Sequence, residues 1–395
     1  MLNQERADFV IRLAQKMVQC SSLSGQEGDL ARLVRQTMEH LGYDEIGTDR
    51  YGNVIGKIDF GRPGKTILLE GHMDHVDPGD LSKWTVDPYG GVIQDGKLYG
   101  RGASDMKGSL AAMLAAAAYL KADKCDELSG TLIVAATVHE ECFEGVASRE
   151  VGEAYKPDFV VIGEASSLDV KRGQRGRAEV VVETYGKSAH SSNPEKGINA
   201  IKQMMSLLAR LKERYIPPYD AVLGHGILEV TDIISHPYPG ASVVPDRCRV
   251  TFDRRLLVGE TEEDVLRVFH KLFEELRRQD PSFQARAFIA TGEASCYTGE
   301  TIRAPRFAPG WLLDDDHPFV TKAMAALESA GLSPKLSHYA FCTNGSYYAG
   351  KAGIPTIGFG ASHEYLAHVI DEYVEVGQLI SACKGYYAIC QGVLI

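Results

Sequence analysis

Three near-continuous apolar runs, each stopping at a residue that can titrate or bind a metal, constrain this chain more than any other feature. ILLEG (67–71) runs into His72, Met73, Asp74 and His75. TLIVAATV (131–138) runs into His139, Glu140 and Glu141, and FVVIG (159–163) runs into Glu164. Strands without polar alternation belong to sheets covered on both faces. Between them, residues 104–122 form an alanine-rich helical segment, and strands alternating with helices predict an α/β layer architecture. In such sheets the carboxyl ends of the strands border one crevice, so the titratable residues are expected to converge there. The glycine-rich loop GRGASDMKG (100–108), entering the alanine-rich helix, can carry Asp105 to the same place.

Any one of these side chains could be a solvated carboxylate or a satisfied histidine. Together, four buried acids and a histidine require compensating cations. Imidazole and carboxylate donors without thiolate suit Zn²⁺, Co²⁺ or Mn²⁺. Two such ions sharing a carboxylate and a water make a hydrolytic clamp. In the adjacent pair Glu140-Glu141, one carboxylate can bind metal while its neighbour stays free as a general base.

Composition removes other classes. Of 395 residues, 42 are Lys or Arg and 53 are Asp or Glu, a formal charge of −11, which repels phosphate backbones and argues against nucleic acid. The longest clean apolar stretch, Leu110 to Leu120, is too short to span a bilayer. The charged start MLNQERADFV predicts no export signal. Eight cysteines at 20, 125, 142, 248, 296, 342, 383 and 390, none at CxxC spacing, read as free thiols of a cytoplasmic protein. LYGRGASD lacks the third glycine of GxGxxG, and GxxxxGK[ST], HExxH and GxSxG are absent.

The pattern divides the chain. Residues 4–41 read as two helices, with Ser22 and Ser24 as possible caps between them. RAEVVVETYGKSAH (177–190) alternates with period two, and helices and strands follow in turn to residue 290. This predicts a smaller α+β unit, 177–303, inserted between two α/β parts, 1–176 and 304–395.

GHMDHVDPGD, GRGASDMKG, HEE, IGEAS, GKSAHSSNPEKGINAI and HVIDEYV together resemble, in order, the signatures of the M20 metallopeptidases. These are the amidohydrolases that include acetylornithine deacetylase, succinyl-diaminopimelate desuccinylase, aminoacylase-1 and carboxypeptidase G2. The stretch TNGSYYAGKAGIPTIGFG is most similar to the branch of hydrolases linked to selenium metabolism. The resemblance implies a mixed-sheet, zinc-peptidase-like catalytic domain with an inserted ferredoxin-like lid that makes a homodimer contact. It implies two zinc ions, one held by His72, Asp105 and Glu164, the other by Asp105, Glu141 and His368. Asp105 bridges them and precedes a cis peptide. Asp74 orients His72, and Glu140 is the base that deprotonates the attacking water and passes the proton to the leaving amine. His190 helps to stabilise the oxyanion.

For substrate binding the resemblance implies Arg255 (or its neighbour Arg254) on a substrate carboxylate, Asn199 in GINAI, and the loop of Asn344 and Gly345. Relatives often have aspartate at position 344, so asparagine removes a charge there. His75 is open between substrate contact, support of the metal shell and a surface position. His363 is open between a plain loop residue and, with Glu364, an alternative ligand. His40, His225, His236, His270, His317 and His338 read as structural, and Cys142 has no base beside it. The expected activity is hydrolysis of an amide bond in a small N-acyl amino acid or short peptide. The alternatives are an N-carbamoyl amidohydrolase with the same site, or a binding protein that kept the fold without catalysis.

Overall fold

The computed structural model describes residues 2–395 and divides them into two compact units. The first comprises the chain up to Gln174, Glu293–Ala304 and Leu312–Ile395, and the second comprises Arg175–Gly292 and Pro305–Trp311. The expected unit 177–303 therefore needs correction at its far end. The hairpin of Thr291–Ser295 and Thr301–Pro305 returns early to the first unit. Tyr297 at its tip donates to the Gly52 carbonyl at 2.8 Å. Gly52, at φ +105°, leaves room for that ring, since a Cβ there would lie 2.2 Å from Tyr297 Cε1.

The first unit is built on a nine-stranded mixed sheet. Its centre is four adjacent parallel strands in the order Thr131–Thr137, Thr66–His72, Phe159–Ile162 and Thr356–Gly358. The apolar runs split by parity, as a pleated strand must. Ile67, Leu69, Leu132, Val134 and Ala136 join one buried cluster, whereas Leu68, Ile133, Ala135, Val160 and Ile162 join another with Val151, Tyr347 and Tyr348. Both faces are thus covered, and no polar alternation survives in the sequence.

The alanine-rich segment is the helix Gly108–Lys124. It is apolar all round and almost wholly buried, packed against the helices Gln4–Val18 and Val376–Leu394 and the strand Thr66–His72. Its small side chains admit those neighbours closely. Ser22 and Ser24 are not caps. The helix Gly28–His40 starts without a side-chain cap, Ser22 Oγ donates to the Met73 carbonyl at 2.7 Å, and Ser24 Oγ donates to Asp74 at 2.7 Å.

The second unit has β-α-β-β-α-β order. Its antiparallel strands lie side by side as Ile227–His236, Arg247–Leu256, Gly176–Tyr185 and Gln284–Ile289, with the helices Ala200–Arg214 and Glu262–Gln279 packed on the sheet. This is the ferredoxin-like arrangement. No helix among the described residues is long and apolar enough to cross a membrane, and no disulfide links any of the eight cysteines.

Candidate metal centre

Strand register brings the first donors together. His72 lies opposite Thr137, and Glu70 lies opposite Ile162, so two residues further on His72 and Glu164 are level. His72 Nε2 is 3.3 Å from Glu164 Oε1 and 2.9 Å from Asp105 Oδ1. Its Nδ1 is 2.9 Å from the Asp74 carbonyl. A carbonyl only accepts, so Nδ1 carries the proton and Nε2 is the nitrogen presented to the carboxylates.

Asp105 arrives on the loop before the alanine-rich helix, and its bond to Met106 is cis. Met106 packs where the strands lack side chains. A Cβ on Gly71 would lie 2.5 Å from Met106 Cε, and one on Gly163 2.6 Å from the same atom. Those glycines stand immediately before His72 and Glu164. The second histidine, His368, places Nε2 3.1 Å from Asp105 Oδ2 and 3.0 Å from Glu141 Oε2. Donor atoms of His72, Glu140 and Glu164, and again of His72, Asp105 and Glu141, lie within 4.8 Å of one another.

Crowding and burial set the charge states. Burial, then the charge of Glu164, pushes the Glu140 carboxyl well above the usual carboxylate range. Burial and the Asp105 charge push Glu164 up to about 8, and the same two causes raise Glu141. Burial would raise Asp105 too, but hydrogen bonds with His368 and His72 hold it below its ordinary value. Hydrogen bonds to Asp105 and Glu141 push His368 up to about 10. Glu140 Oε1 is buried with no partner. Four crowded acids, one with an unpartnered oxygen, together with two imidazoles fit divalent cations.

The profile of peptidase family M20/M25/M40 matches residues 68–392. The chain belongs to this family. It is therefore a member of a family of amide-bond hydrolases. The chain is 34% identical over 384 residues to the uncharacterized protein YgeY of Escherichia coli K12, covering 96% of this chain and 93% of that one. It is 30% identical over 337 residues to the acetylornithine deacetylase of Proteus mirabilis, covering 82% and 78%. Its fold matches Bacillus subtilis YxeP, a dinuclear metal binding peptidase from the M20 family, with TM-score 0.71, 16% identity and full coverage of both chains.

Several M20 expectations meet different contacts. The Asp74 carboxylate stands 3.6 Å from His72 Nδ1, which binds the Asp74 carbonyl instead. The carboxylate accepts the backbone N–H groups of Glu140 and Glu141 at 3.0 and 3.2 Å. Asn344 is engaged by other parts of the chain. It is buried, its amide nitrogen donates to Glu70 at 2.8 Å and Thr137 at 3.2 Å, and its oxygen accepts Gly145 N–H at 2.6 Å. The Gly345 N–H is taken by Thr343 Oγ1 at 3.0 Å.

His190, Asn199 and Arg255 lie in the second unit. His190 is exposed, with Nδ1 2.7 Å from Ser192 Oγ. Asn199 caps the helix Ala200–Arg214, its oxygen accepting from Ile201 and Lys202. Arg255 pairs with Asp253 at 2.8 Å, while Arg254 is buried and paired with Glu260. Both ring nitrogens of His75 are engaged by backbone, Nε2 accepting Ser22 N–H at 2.9 Å and Nδ1 lying 2.8 Å from the Val76 carbonyl. His363 bonds Ser167 and Gln378.

Glu27 and Glu372 are buried acids that were not among the expected residues. Glu27 accepts the N–H groups of Gly25 at 2.9 Å and His139 at 3.3 Å. Glu372, four residues after His368, accepts from the loop of Asp105. Its place in HVIDEYV was the available signal.

Proposed function

We propose that the protein is a di-metal amidohydrolase that cleaves a small N-acyl amino acid or short peptide. The observation carrying this reading is the meeting of His72, Asp105, Glu141, Glu164 and His368 around the buried carboxyl of Glu140. His72, Asp105 and Glu164 would hold one cation, and Asp105, Glu141 and His368 the other. Zinc suits the mixed imidazole and carboxylate donors. Bound there, divalent cations supply Lewis acidity at the scissile carbonyl and acidify an attacking water.

The chain's own groups do the rest. Glu140 takes the proton from the attacking water, and burial raises its carboxyl, which favours a base that must later act as an acid. The carbonyl carbon gains the water oxygen, its C–N bond breaks, and Glu140 delivers the proton to the departing amine. Asp74 holds the backbone on which Glu140 and Glu141 stand. His190 is assigned to the oxyanion, and Arg255 and Asn199 to the substrate. Asn344 and Gly345 are left out of that role because their polar groups are already engaged.

The acetylornithine deacetylase relative supports an N-acyl amino acid as substrate. Eight cysteines outside any disulfide support a cytoplasmic protein. A homodimer through the second unit is supported by its edge strand Ile227–His236, which leaves Ile227, Val230, Ile233 and Ile234 exposed.

The test is metal analysis of the purified protein together with a screen of N-acetyl, N-succinyl and N-carbamoyl amino acids and dipeptides. Hydrolysis abolished by chelation and restored by zinc is expected. Activity that survives exhaustive chelation sinks the reading.

A further inference from the structure

The antiparallel pairing of Tyr373–Glu375 with Lys97–Tyr99 sets Tyr373 opposite Tyr99, and so brings Glu372 level with Gly100. The Gly100 N–H donates to the Glu372 carbonyl at 2.9 Å, extending that pairing by one residue. From there the Glu372 side chain reaches the turn that carries Asp105. Its Oε1 accepts two consecutive backbone N–H groups, from Ser104 at 2.8 Å and Asp105 at 3.0 Å. Its Oε2 pairs with Arg101 Nη1 at 2.5 Å. Glu372 and Arg101 are only 0% and 2% exposed, so water does not compete for these bonds. Neither residue stands among the donors gathered around Glu140.

The same short segment carries His368, whose Nε2 lies 3.1 Å from Asp105 Oδ2. Two proposed ligands of one cation therefore hang on backbone segments that Glu372 ties together. His72 and Glu164 stand instead at the ends of central sheet strands and need no such tie. We propose that Glu372, held by Arg101, is a positioning residue. It fixes the Asp105 turn against the His368 segment and governs retention of the cation assigned to Asp105, Glu141 and His368. This rests on the dinuclear reading above. The physical ground is that a charged acceptor binding two adjacent N–H groups fixes both the position and the rotation of the turn, and partners one step removed from a metal set the geometry of its ligands.

The test is zinc titration of the metal-free full chain, with calorimetry for affinity and elemental analysis for stoichiometry. Wild type is expected to bind two zinc ions per chain. E372Q keeps the shape of the side chain but replaces one acceptor oxygen with a donor. It is expected to bind the cation of Asp105, Glu141 and His368 about 10- to 100-fold more weakly, and to weaken the site of His72, Asp105 and Glu164 less, because that site shares only Asp105 with the tied segments. E372Q that binds both ions as wild type does would overturn the proposal, even if its Tm fell, because the role would then be structural only. Equal weakening of both sites would overturn it as well. R101K carries the same reading should E372Q fail to fold, with a smaller weakening of one site expected and unchanged affinity again fatal. Wild-type protein that binds no zinc removes the dinuclear reading itself, a result distinct from either variant's.

Discussion

The Asp74 carboxylate binds the loop of Glu140 through both of its oxygens, accepting the Glu140 N–H at 3.0 Å and the Glu141 N–H at 3.2 Å. One buried acid thus sets the backbone under both the proposed base and a proposed ligand. D74N replaces one acceptor oxygen with an amide donor that faces an N–H group. Turnover at saturating zinc should fall by about 10- to 100-fold, with KM changed far less. A D74N enzyme with wild-type turnover refutes the arrangement.

Glu140 and His72 separate base from ligand. E140Q should retain both cations while turnover drops by about two to four orders of magnitude. H72A should lose metal, measured by elemental analysis after dialysis. If E140Q keeps its rate, the base lies elsewhere.

Acidity of the metal-free site predicts a slope in stability. Glu164 rises from 4.5 to about 8 through burial and the Asp105 charge, and His368 rises from 6.5 to about 10 through its bonds to Asp105 and Glu141. Both folded values exceed the unfolded ones, so across these ranges the native chain binds more protons and loses stability as pH rises. Asp105 is shifted the other way, but its contribution changes only below its ordinary value. Burial also pushes His75 down to about 3 and Lys107 down to about 7, which opposes the slope, but it pushes Glu27 and Glu372 up to about 7, which adds to it. The Tm of chelated protein should therefore fall between about pH 5 and pH 9. Saturating zinc should flatten or reverse that slope, because cations favour deprotonated ligands. A chelated protein with flat Tm over this range contradicts the crowding of these groups.

Asparagine at position 344 is explained by Glu70. The buried Asn344 amide donates to that carboxylate at 2.8 Å, which an ionised aspartate cannot do. N344A should cost about 1–3 kcal/mol in chemical denaturation and leave KM near wild type. A large KM increase without loss of stability would return Asn344 to the substrate.

On the edge strand Ile227–His236, Ile233 is 54% exposed. I233K should convert a dimer to a monomer in sedimentation without unfolding the chain. A dimer unchanged by I233K places the contact elsewhere.

The strand ends were readable because their chemistry is written locally: an apolar run and then a donor, in His72, Glu140 and Glu164. The glycine-rich loop already offered Asp105 to the crevice, whereas His368 required the family resemblance, since nothing in its own segment says where it goes. Glu27 and Glu372 were missed because a glutamate in sequence does not announce which distant N–H groups it will accept. Ser24 was misread for a related reason. It precedes a helix, as a cap does, yet Asp74, fifty positions on, offers its hydroxyl a charged acceptor. The return of Glu293–Ala304 to the first unit depends on where one ring, Tyr297, is received, and two short strands of weak pattern gave no sign of it.

The first unit is interrupted by most of the second, and its last helix, Val376–Leu394, packs under the alanine-rich helix Gly108–Lys124. A ribosome must therefore pass the helix Val376–Leu394 before that interior can close. The inserted unit, whose four strands and two helices fall within Arg175–Gly292, is free to acquire its shape first. The product of a message cut short before codon 368 would lack both the helix Val376–Leu394 and the imidazole assigned above to the second cation.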